Sequence, residues 1–156
     1  MEKIRVLMID DNTPLVEMVK EYFSDHQKIA VTISCSNGEE GLDAILNRPD
    51  EYDVVLLDLV MPVKDGMYVL DELNKRKIEK NIIVETSYNE PNTIRKVSEY
   101  GVNYYILKPF DLTDLENRIL QTFNSSAGKT INLYHSNLQI SITKMLHELG
   151  MPSHIK

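Results

Sequence analysis

The feature that most constrains the fold of this chain is a fivefold alternation of short apolar runs with segments of helical periodicity over residues 1–123. Apolar runs without polar alternation are typical of strands that are buried on both faces, as in a parallel sheet. Five strand–helix units with right-handed crossovers predict a three-layer α/β fold, with a doubly wound parallel sheet in the strand order 2-1-3-4-5. The predicted strands are Ile4–Ile9, Ala30–Ile33, Val54–Leu57, Ile82–Val84 and Tyr104–Leu107.

The composition changes after Phe123, so we expect the first domain to span residues 1–123. Residues 124–136 begin with Asn-Ser-Ser-Ala-Gly, which is typical of a flexible linker. Within residues 137–156, apolar side chains at i, i+4, i+7, i+8 and i+11 predict a tail helix over 138–149. A helix of about three turns cannot bury an apolar stripe by itself, so we expect it to dock on the first domain or to pair between chains.

Charge and composition disfavour several classes of protein. The chain of 156 residues has a net charge of −7, with −9 on residues 1–123 and +2 on residues 124–156. Such an acidic body repels the phosphates of nucleic acids, so we expect no DNA binding by this chain. No apolar run reaches the roughly 18 residues of a membrane span, and the start Met-Glu-Lys is unlike a signal peptide. The single cysteine, Cys35, excludes an internal disulfide and favours the cytoplasm.

Polar side chains capable of chemistry follow four of the five predicted strands. Asp10 and Asp11 follow the first strand, Asp58 the third, Thr86 the fourth and Lys108 the fifth. In the predicted strand order these residues line one edge of the sheet and share one shallow pocket. Crowded carboxylates need a cation, and an open set of oxygen ligands suits hydrated Mg²⁺, which commonly bridges to phosphate. A central carboxylate can then act as a nucleophile and form an aspartyl phosphate.

The motifs around these residues resemble those of the receiver domain of bacterial two-component response regulators. They are Asp10-Asp11, the segment Asp58-Leu-Val-Met-Pro-Val-Lys-Asp-Gly66, Glu85-Thr86-Ser87 and Leu107-Lys108-Pro109-Phe110. The resemblance covers residues 1–123 and implies a flavodoxin-like fold. Within the second motif, we expect Gly66 to meet a need for a positive φ in the loop after Asp58.

The resemblance implies that Asp58 is the phosphoacceptor and takes its phosphoryl group from a histidine kinase or a histidine phosphotransferase. It also implies a requirement for Mg²⁺, for which another divalent cation such as Ca²⁺ or Mn²⁺ can substitute. Asp11 and Asp58 would ligate the metal directly, Asp10 would act largely through water, and the backbone carbonyl of Val60 would complete the protein ligands. The protein would be a phosphoacceptor switch that assists its own phosphorylation and dephosphorylation, and not an enzyme.

The resemblance further implies how the switch works. Thr86 would hydrogen-bond the phosphoryl oxygens, Lys108 would pair with them, and the Lys108–Pro109 peptide bond would be cis. Tyr105 matches the aromatic switch position, where the ring rotates inward as Thr86 moves. The surface formed by helix four, strand five and helix five would then change, and homodimerisation through this surface is what the family implies.

Residues 137–156 are similar to the opening of the effector domain in the stage-zero sporulation protein A family of master regulators. In that family a DNA-binding domain follows the receiver. The resemblance therefore implies control of sporulation-type transcription, with the effector domain truncated here to its first helix. We expect this helix to permit homodimer formation by exchange of a C-terminal element.

Other functions fit the same fold. Phosphatases that form an aspartyl phosphate need a second acid two residues after the nucleophile, where this chain has Val60. Flavin binding is disfavoured because the loop after the first strand is acidic and lacks a hydroxyl-rich cradle for phosphate. A stand-alone phosphorelay intermediate and a pseudo-receiver that serves as an interaction module stay open as alternatives.

Overall fold

Five of the seven described strands of the sheet are parallel neighbours in the predicted order β2-β1-β3-β4-β5. The computed structural model describes residues 2–124, 132–135 and 138–141. The three-layer doubly wound fold is therefore confirmed. The strands are β1 (Ile4–Ile9), β2 (Ile29–Cys35), β3 (Val54–Leu57), β4 (Ile82–Thr86) and β5 (Tyr104–Leu107).

Helices follow each of these strands, and side-chain caps fix where several of them begin. Asn12, Asn37 and Asp65 each accept a hydrogen bond from a backbone N–H of the first helical turn, which otherwise lacks a partner. Among the described residues, no helix is long and apolar enough to cross a membrane. The helices are α1 (Thr13–Phe23), α2 (Gly38–Asn47), α3 (Gly66–Lys75), α4 (Pro91–Glu99) and α5 (Leu112–Asn124), with a 3-10 turn at Pro49–Glu51.

Successive strand residues point to opposite faces of the sheet, and each face has its own core. One core, on what we call the α1/α5 face, includes Met8, Leu56, Ile83 and Ile106 and is covered by helices α1 and α5. The other core, on the α2/α3/α4 face, is covered by helices α2, α3 and α4. Its strand residues are Leu7, Ile9, Ile33, Val55, Leu57, Ile82, Val84, Tyr105 and Leu107. This alternation also decides where the polar residues at the strand ends point.

The structure corrects the expectation for the tail. The predicted linker 124–136 contains a strand, β6 (Asn132–His135), that pairs parallel to β5. The predicted helix 138–149 begins instead as a strand, β7 (Leu138–Ser141), antiparallel to β6. The sequence Leu-Gln-Ile-Ser-Ile from residue 138 alternates apolar and polar residues, a period typical of strands. The rest of the predicted helix lies outside the described residues.

Candidate functional site

Polar residues meet at the carboxyl ends of the central strands, as the sequence predicts. Strands β1 and β3 are neighbours in which Ile9 pairs with Leu57, so Asp10 and Asp58 emerge side by side. The backbone N–H of Asp58 donates to the carbonyl of Ile9 at 3.0 Å, which holds the two loops together. Asp10 and Asp58 are both buried, with 2% and 5% of their surface exposed.

Strand alternation sorts the site residues between the two faces of the sheet. Asp10, Asp58 and Lys108 each follow a residue of the α2/α3/α4 core, so they continue the α1/α5 face. Glu85, which lies between Val84 and Thr86 on β4, has the same parity. Thr86 has the opposite parity and continues the α2/α3/α4 face. The sheet thus separates a charged group of residues from a group that carries a hydroxyl and an aromatic ring.

Three carboxylates form a group that suits a metal ion. Asp10, Asp11 and Asp58 each offer one oxygen, and these oxygens all lie within 4.8 Å of one another. Oxygen ligands at an open edge, with Asp11 exposed, fit a hydrated Mg²⁺. The backbone N–H of Val60 donates to Asp58 Oδ1 at 3.3 Å, and the role of the Val60 carbonyl as a ligand stays a prediction.

Lys108 is surrounded by carboxyl groups. Its Nζ lies 3.0 Å from Asp10 Oδ2, 3.2 Å from Asp58 Oδ2 and 3.3 Å from Glu85 Oε2. Burial acts to lower the pKa of Lys108, but the three neighbouring carboxyl groups outweigh it and raise the pKa. The side chain therefore carries a positive charge at neutral pH. Asp10, Asp11, Asp58, Glu85 and Lys108 together are called the acid pocket below.

Glu85 was not predicted as a site residue, although it stands in one of the quoted motifs. Its side chain is fully buried. Burial, followed by the nearby carboxylate of Asp10, raises the pKa of Glu85 well above its usual range. A signal was present in the sequence, since a charged residue directly before Thr86 interrupts an apolar run. The predicted strand ended at Val84, so this residue was not assigned to a face.

Asp58 is a poorly solvated carboxyl group. Burial is the main cause that raises the pKa of Asp58, and the charge of Asp10 adds to it. The charge of Lys108 and the hydrogen bond from the N–H of Val60 act in the opposite direction. A carboxylate in such surroundings is stabilised by a second cation nearby, which is a further reason to expect a metal ion at this edge.

Gly66 is needed for a different reason than the expected positive φ. Among the described glycines, Gly101 has a positive φ of 76°, and in the loop before Gly66 it is Val63 that adopts a positive φ, of 68°. A Cβ atom at Gly66 would lie 2.8 Å from Leu59 Cα and would also meet the carbonyl of Asp58. The start of α3 therefore lies against the backbone of the phosphoacceptor candidate, and the absence of a side chain allows this close approach.

Thr86 and Tyr105 are both tied to the backbone of the loop after β4. The hydroxyl of Thr86 accepts a hydrogen bond from the N–H of Tyr88 at 3.4 Å, and the hydroxyl of Tyr105 donates to the carbonyl of Tyr88 at 2.5 Å. Tyr105 is fully buried, and burial raises its pKa. Its ring is therefore already inward in this structure. The Lys108–Pro109 peptide bond is cis, as the resemblance implies.

Solved structures with this fold include several receiver domains. The receiver domain of the Francisella response regulator 1452 is 26% identical to this chain, with a TM-score of 0.71, and the match covers 80% of this chain and 99% of that one. A CheY-like receiver domain protein from Methanospirillum hungatei is 24% identical, with a TM-score of 0.70, over 80% of this chain and 96% of that one. At this lower identity the likeness shows the fold alone.

A third structure is that of a complex whose name includes BeF3 and Mg²⁺. The CheX-CheY-BeF3-Mg²⁺ complex from Borrelia burgdorferi contains a chain that is 22% identical, with a TM-score of 0.70, over 77% of this chain and 89% of that one. The family model for the response regulator receiver domain matches residues 6–120, which is most of the chain and includes every residue of the acid pocket. This chain therefore belongs to the response regulator receiver domain family.

Proposed function

We propose that this receiver domain is a switch that is activated by phosphorylation of Asp58 and requires Mg²⁺. The observation that carries the proposal is the arrangement of the acid pocket. Lys108 Nζ lies 3.2 Å from Asp58 Oδ2, and Asp58 also belongs to a group of three carboxylates that suits a metal ion. With a metal ion bound by this group, Asp58 would lie between two sources of positive charge, as phosphoryl transfer requires.

The transfer step follows from this placement. A carboxylate oxygen of Asp58 attacks the phosphorus of a phosphohistidine on the partner protein. A P–O bond forms while the P–N bond breaks, and the electron pair returns to the imidazole nitrogen of the leaving histidine. When bound by Asp10, Asp11 and Asp58, Mg²⁺ supplies charge neutralisation for the phosphoryl oxygens. Lys108, which is protonated at neutral pH, orients and neutralises the same group from the other side.

The response to phosphorylation is proposed to pass through Thr86. The Thr86 hydroxyl, whose oxygen accepts from the N–H of Tyr88, donates its hydrogen to the new phosphoryl oxygens, and its movement toward them shifts the loop after β4. Because Tyr105 is bonded to the carbonyl of the same residue, its ring must find a new partner or move. The surface formed by α4, β5 and α5 then changes by a population shift between two states.

The partners and output are also part of this proposal. A histidine kinase or histidine phosphotransferase is the phosphodonor, and the changed surface mediates homodimerisation. The protein acts as a phosphoacceptor and not as an enzyme with a separate substrate. Residues 137–156 resemble the stage-zero sporulation protein A family, so we propose an output in sporulation-type transcription, through an effector domain of the kind that follows the receiver in that family.

The proposal is tested by the intact mass of the protein after incubation with acetyl phosphate, with and without Mg²⁺. We expect one phosphoryl adduct on the wild type when Mg²⁺ is present and none on Asp58→Asn. Asp25→Asn, which changes an exposed acid, is the matched control and should be modified like the wild type. Stoichiometric modification of Asp58→Asn, or no adduct on folded wild type, would contradict the proposal.

A further inference from the structure

Glu85 is a buried acid to which the proposed mechanism gives no task. Its side chain is fully buried at the carboxyl end of β4, and neither of its oxygens accepts a hydrogen bond from any described residue. The cation that faces it is Lys108, whose Nζ lies 3.3 Å from Glu85 Oε2. The same ammonium also serves Asp10 and Asp58 at 3.0 and 3.2 Å.

A role in stabilising the fold does not explain why an acid stands at position 85. Removing a carboxyl group from water is costly unless hydrogen bonds replace the lost hydration. Glu85 has the parity of the α1/α5 face, where the neighbouring strand residues Ile83 and Ile106 are buried and apolar. An apolar side chain at this position would extend that core without the desolvation penalty. The acid therefore weakens the fold locally, and its effect must be sought in Lys108.

The contact with Lys108 favours one state of the pocket over the other. In the unphosphorylated pocket Lys108 is shared among three carboxyl groups, and Glu85 benefits from its charge. In the phosphorylated pocket Lys108 must turn toward the phosphoryl oxygens. Glu85 then loses the ammonium that faces its Oε2, a contact that a carboxyl oxygen can make whether or not the group is protonated. Because this contact is made only before phosphorylation, it stabilises the unphosphorylated state relative to the phosphorylated one.

We propose that Glu85 is a positioning residue that retains Lys108 in the unphosphorylated pocket and thereby weakens the binding of a phosphoryl group at Asp58. This inference rests on the proposed function of the same pocket and adds a residue that regulates its affinity for a phosphoryl group. The other carboxyl partners of Lys108 lie in the proposed metal group, so Mg²⁺ competes with Lys108 for them. Glu85 lies outside that group and stays available to the lysine when the metal is bound.

The test measures the dissociation constant of beryllofluoride, a non-covalent mimic of the phosphoryl group, for the full chain at saturating Mg²⁺. Glu85→Met removes both oxygens and keeps an unbranched side chain that suits the apolar surroundings. We expect it to bind beryllofluoride about threefold to tenfold more tightly than the wild type. Glu85→Gln keeps one neutral acceptor for Lys108 and should fall between Glu85→Met and the wild type.

A control separates this contact from the loss of one negative charge. Glu17→Gln removes an exposed acid on α1, close to Asp10 but with Lys20 as its ion-pair partner, and should leave the beryllofluoride affinity within twofold of wild type. The NMR signal of the Lys108 ammonium should shift in Glu85→Met and stay unchanged in Glu17→Gln. A packing role alone would alter the unfolding temperature of Glu85→Met without altering either readout.

The outcomes are distinct. Equal or weaker binding of beryllofluoride by Glu85→Met would overturn the inference, and so would a gain of the same size in Glu17→Gln. If Glu85→Met does not fold, Glu85→Gln decides by the same two readouts, since a tighter affinity and a shifted Lys108 signal support the inference and wild-type values refute it. Failure of the wild type to bind beryllofluoride or to accept a phosphoryl group would instead contradict the proposed function itself.

Discussion

The parallel strands begin at one edge of the sheet, the amino-terminal edge, and end at the other, the carboxyl-terminal edge. Both edges carry acidic and basic side chains, but in different proportions. At the amino-terminal edge, Arg5 and Asp53 form a one-to-one ion pair, with Asp53 Oδ2 accepting from Arg5 Nε at 3.1 Å and from the Arg5 backbone N–H at 2.8 Å. At the carboxyl-terminal edge, Lys108 serves three buried carboxyl groups. The first edge is balanced in charge without any ligand, whereas the second has an excess of acids that a bound cation can offset.

The two edges also differ in how well their buried polar groups are hydrogen-bonded. Asn103 lies just before β5, and its Oδ1 accepts from the N–H of Ile82 at 2.9 Å while its own N–H donates to the Ile82 carbonyl at 2.8 Å. Both carboxyl oxygens of buried Glu85, by comparison, accept no hydrogen bond from the described residues. The amino-terminal edge therefore stabilises the fold. The acid pocket, in contrast, contains buried acids that lower the stability of the fold and are suited to bind a cation. Four measurements follow from this contrast.

The largest effect is expected from Asn103→Ala at the amino-terminal edge. The substitution leaves the buried N–H of Ile82 without its partner and opens a small cavity, so the free energy of unfolding should fall by about 2–3 kcal/mol. Urea denaturation measures it, with Asn74→Ala, at an exposed asparagine, as the control. The acceptance of a phosphoryl group by folded Asn103→Ala should equal that of the wild type. A loss of acceptance would show that the two edges are not separable.

A neutralised acid in the pocket should act in the opposite direction. Asp58→Asn relieves the repulsion among buried carboxylates, so we expect the free energy of unfolding without metal to rise by about 1–2 kcal/mol. Urea denaturation in the presence of a chelator measures this change. A destabilised Asp58→Asn protein would mean that Lys108 already balances the pocket, and the contrast between the edges would be lost.

Addition of Mg²⁺ should reduce this imbalance in the wild type. At a free concentration fivefold above its Kd, Mg²⁺ should raise the free energy of unfolding by about 1 kcal/mol. Asp11→Asn, which removes one proposed ligand, should lose most of this gain, while Asn103→Ala should keep it. Thermal unfolding at several Mg²⁺ concentrations measures both, and the same gain in Asp11→Asn would exclude Asp11 as a ligand.

The smallest effect concerns Asp53. Burial acts to raise the pKa of Asp53, but hydrogen bonds from Arg5 outweigh it and keep this pKa below its usual range. Its stabilising contribution is therefore present above the unfolded-state pKa of about 3.9 and is lost as the pH falls through the folded-state pKa. Asp53→Asn should lower the Tm by about 2–4 °C at neutral pH. The difference from the wild type should vanish at the acid end of a pH series, and a constant difference would contradict it.

Most of the fold and the main residues of the site could be predicted because they depend on local patterns. Buried parallel strands leave apolar runs, and the polar residues that follow those runs meet at one edge, so Asp10, Asp58 and Lys108 were placed together. The tail was misjudged because an apolar stripe of helical spacing begins, at Leu138, with residues that also alternate as a strand. Helical and strand periods overlap over such short stretches.

Other features depend on contacts between distant parts of the chain. The proposed role of Glu85 depends on Lys108, which follows β5 and lies next to Glu85 because β5 pairs with β4. The close approach of Gly66 to the backbone of Asp58 depends on how α3 returns to the sheet, and the positive φ of the intervening loop falls on Val63 instead. Sequence patterns report the period of an element, but they do not report the path of a loop.

The hydrogen bonds that join Thr86 and Tyr105 to the loop after β4 have a consequence for how the surface of a receiver domain can vary at position 88. Both bonds are made by the main chain of Tyr88, through its N–H and its carbonyl, while its side chain is 47% exposed. A signal that travels along the main chain does not depend on which side chain is attached. We therefore expect most substitutions at position 88 to change the exposed side chain while both main-chain hydrogen bonds stay in place. Proline, which lacks the N–H, is the exchange that would remove the hydrogen bond to Thr86 while the carbonyl could still accept from Tyr105.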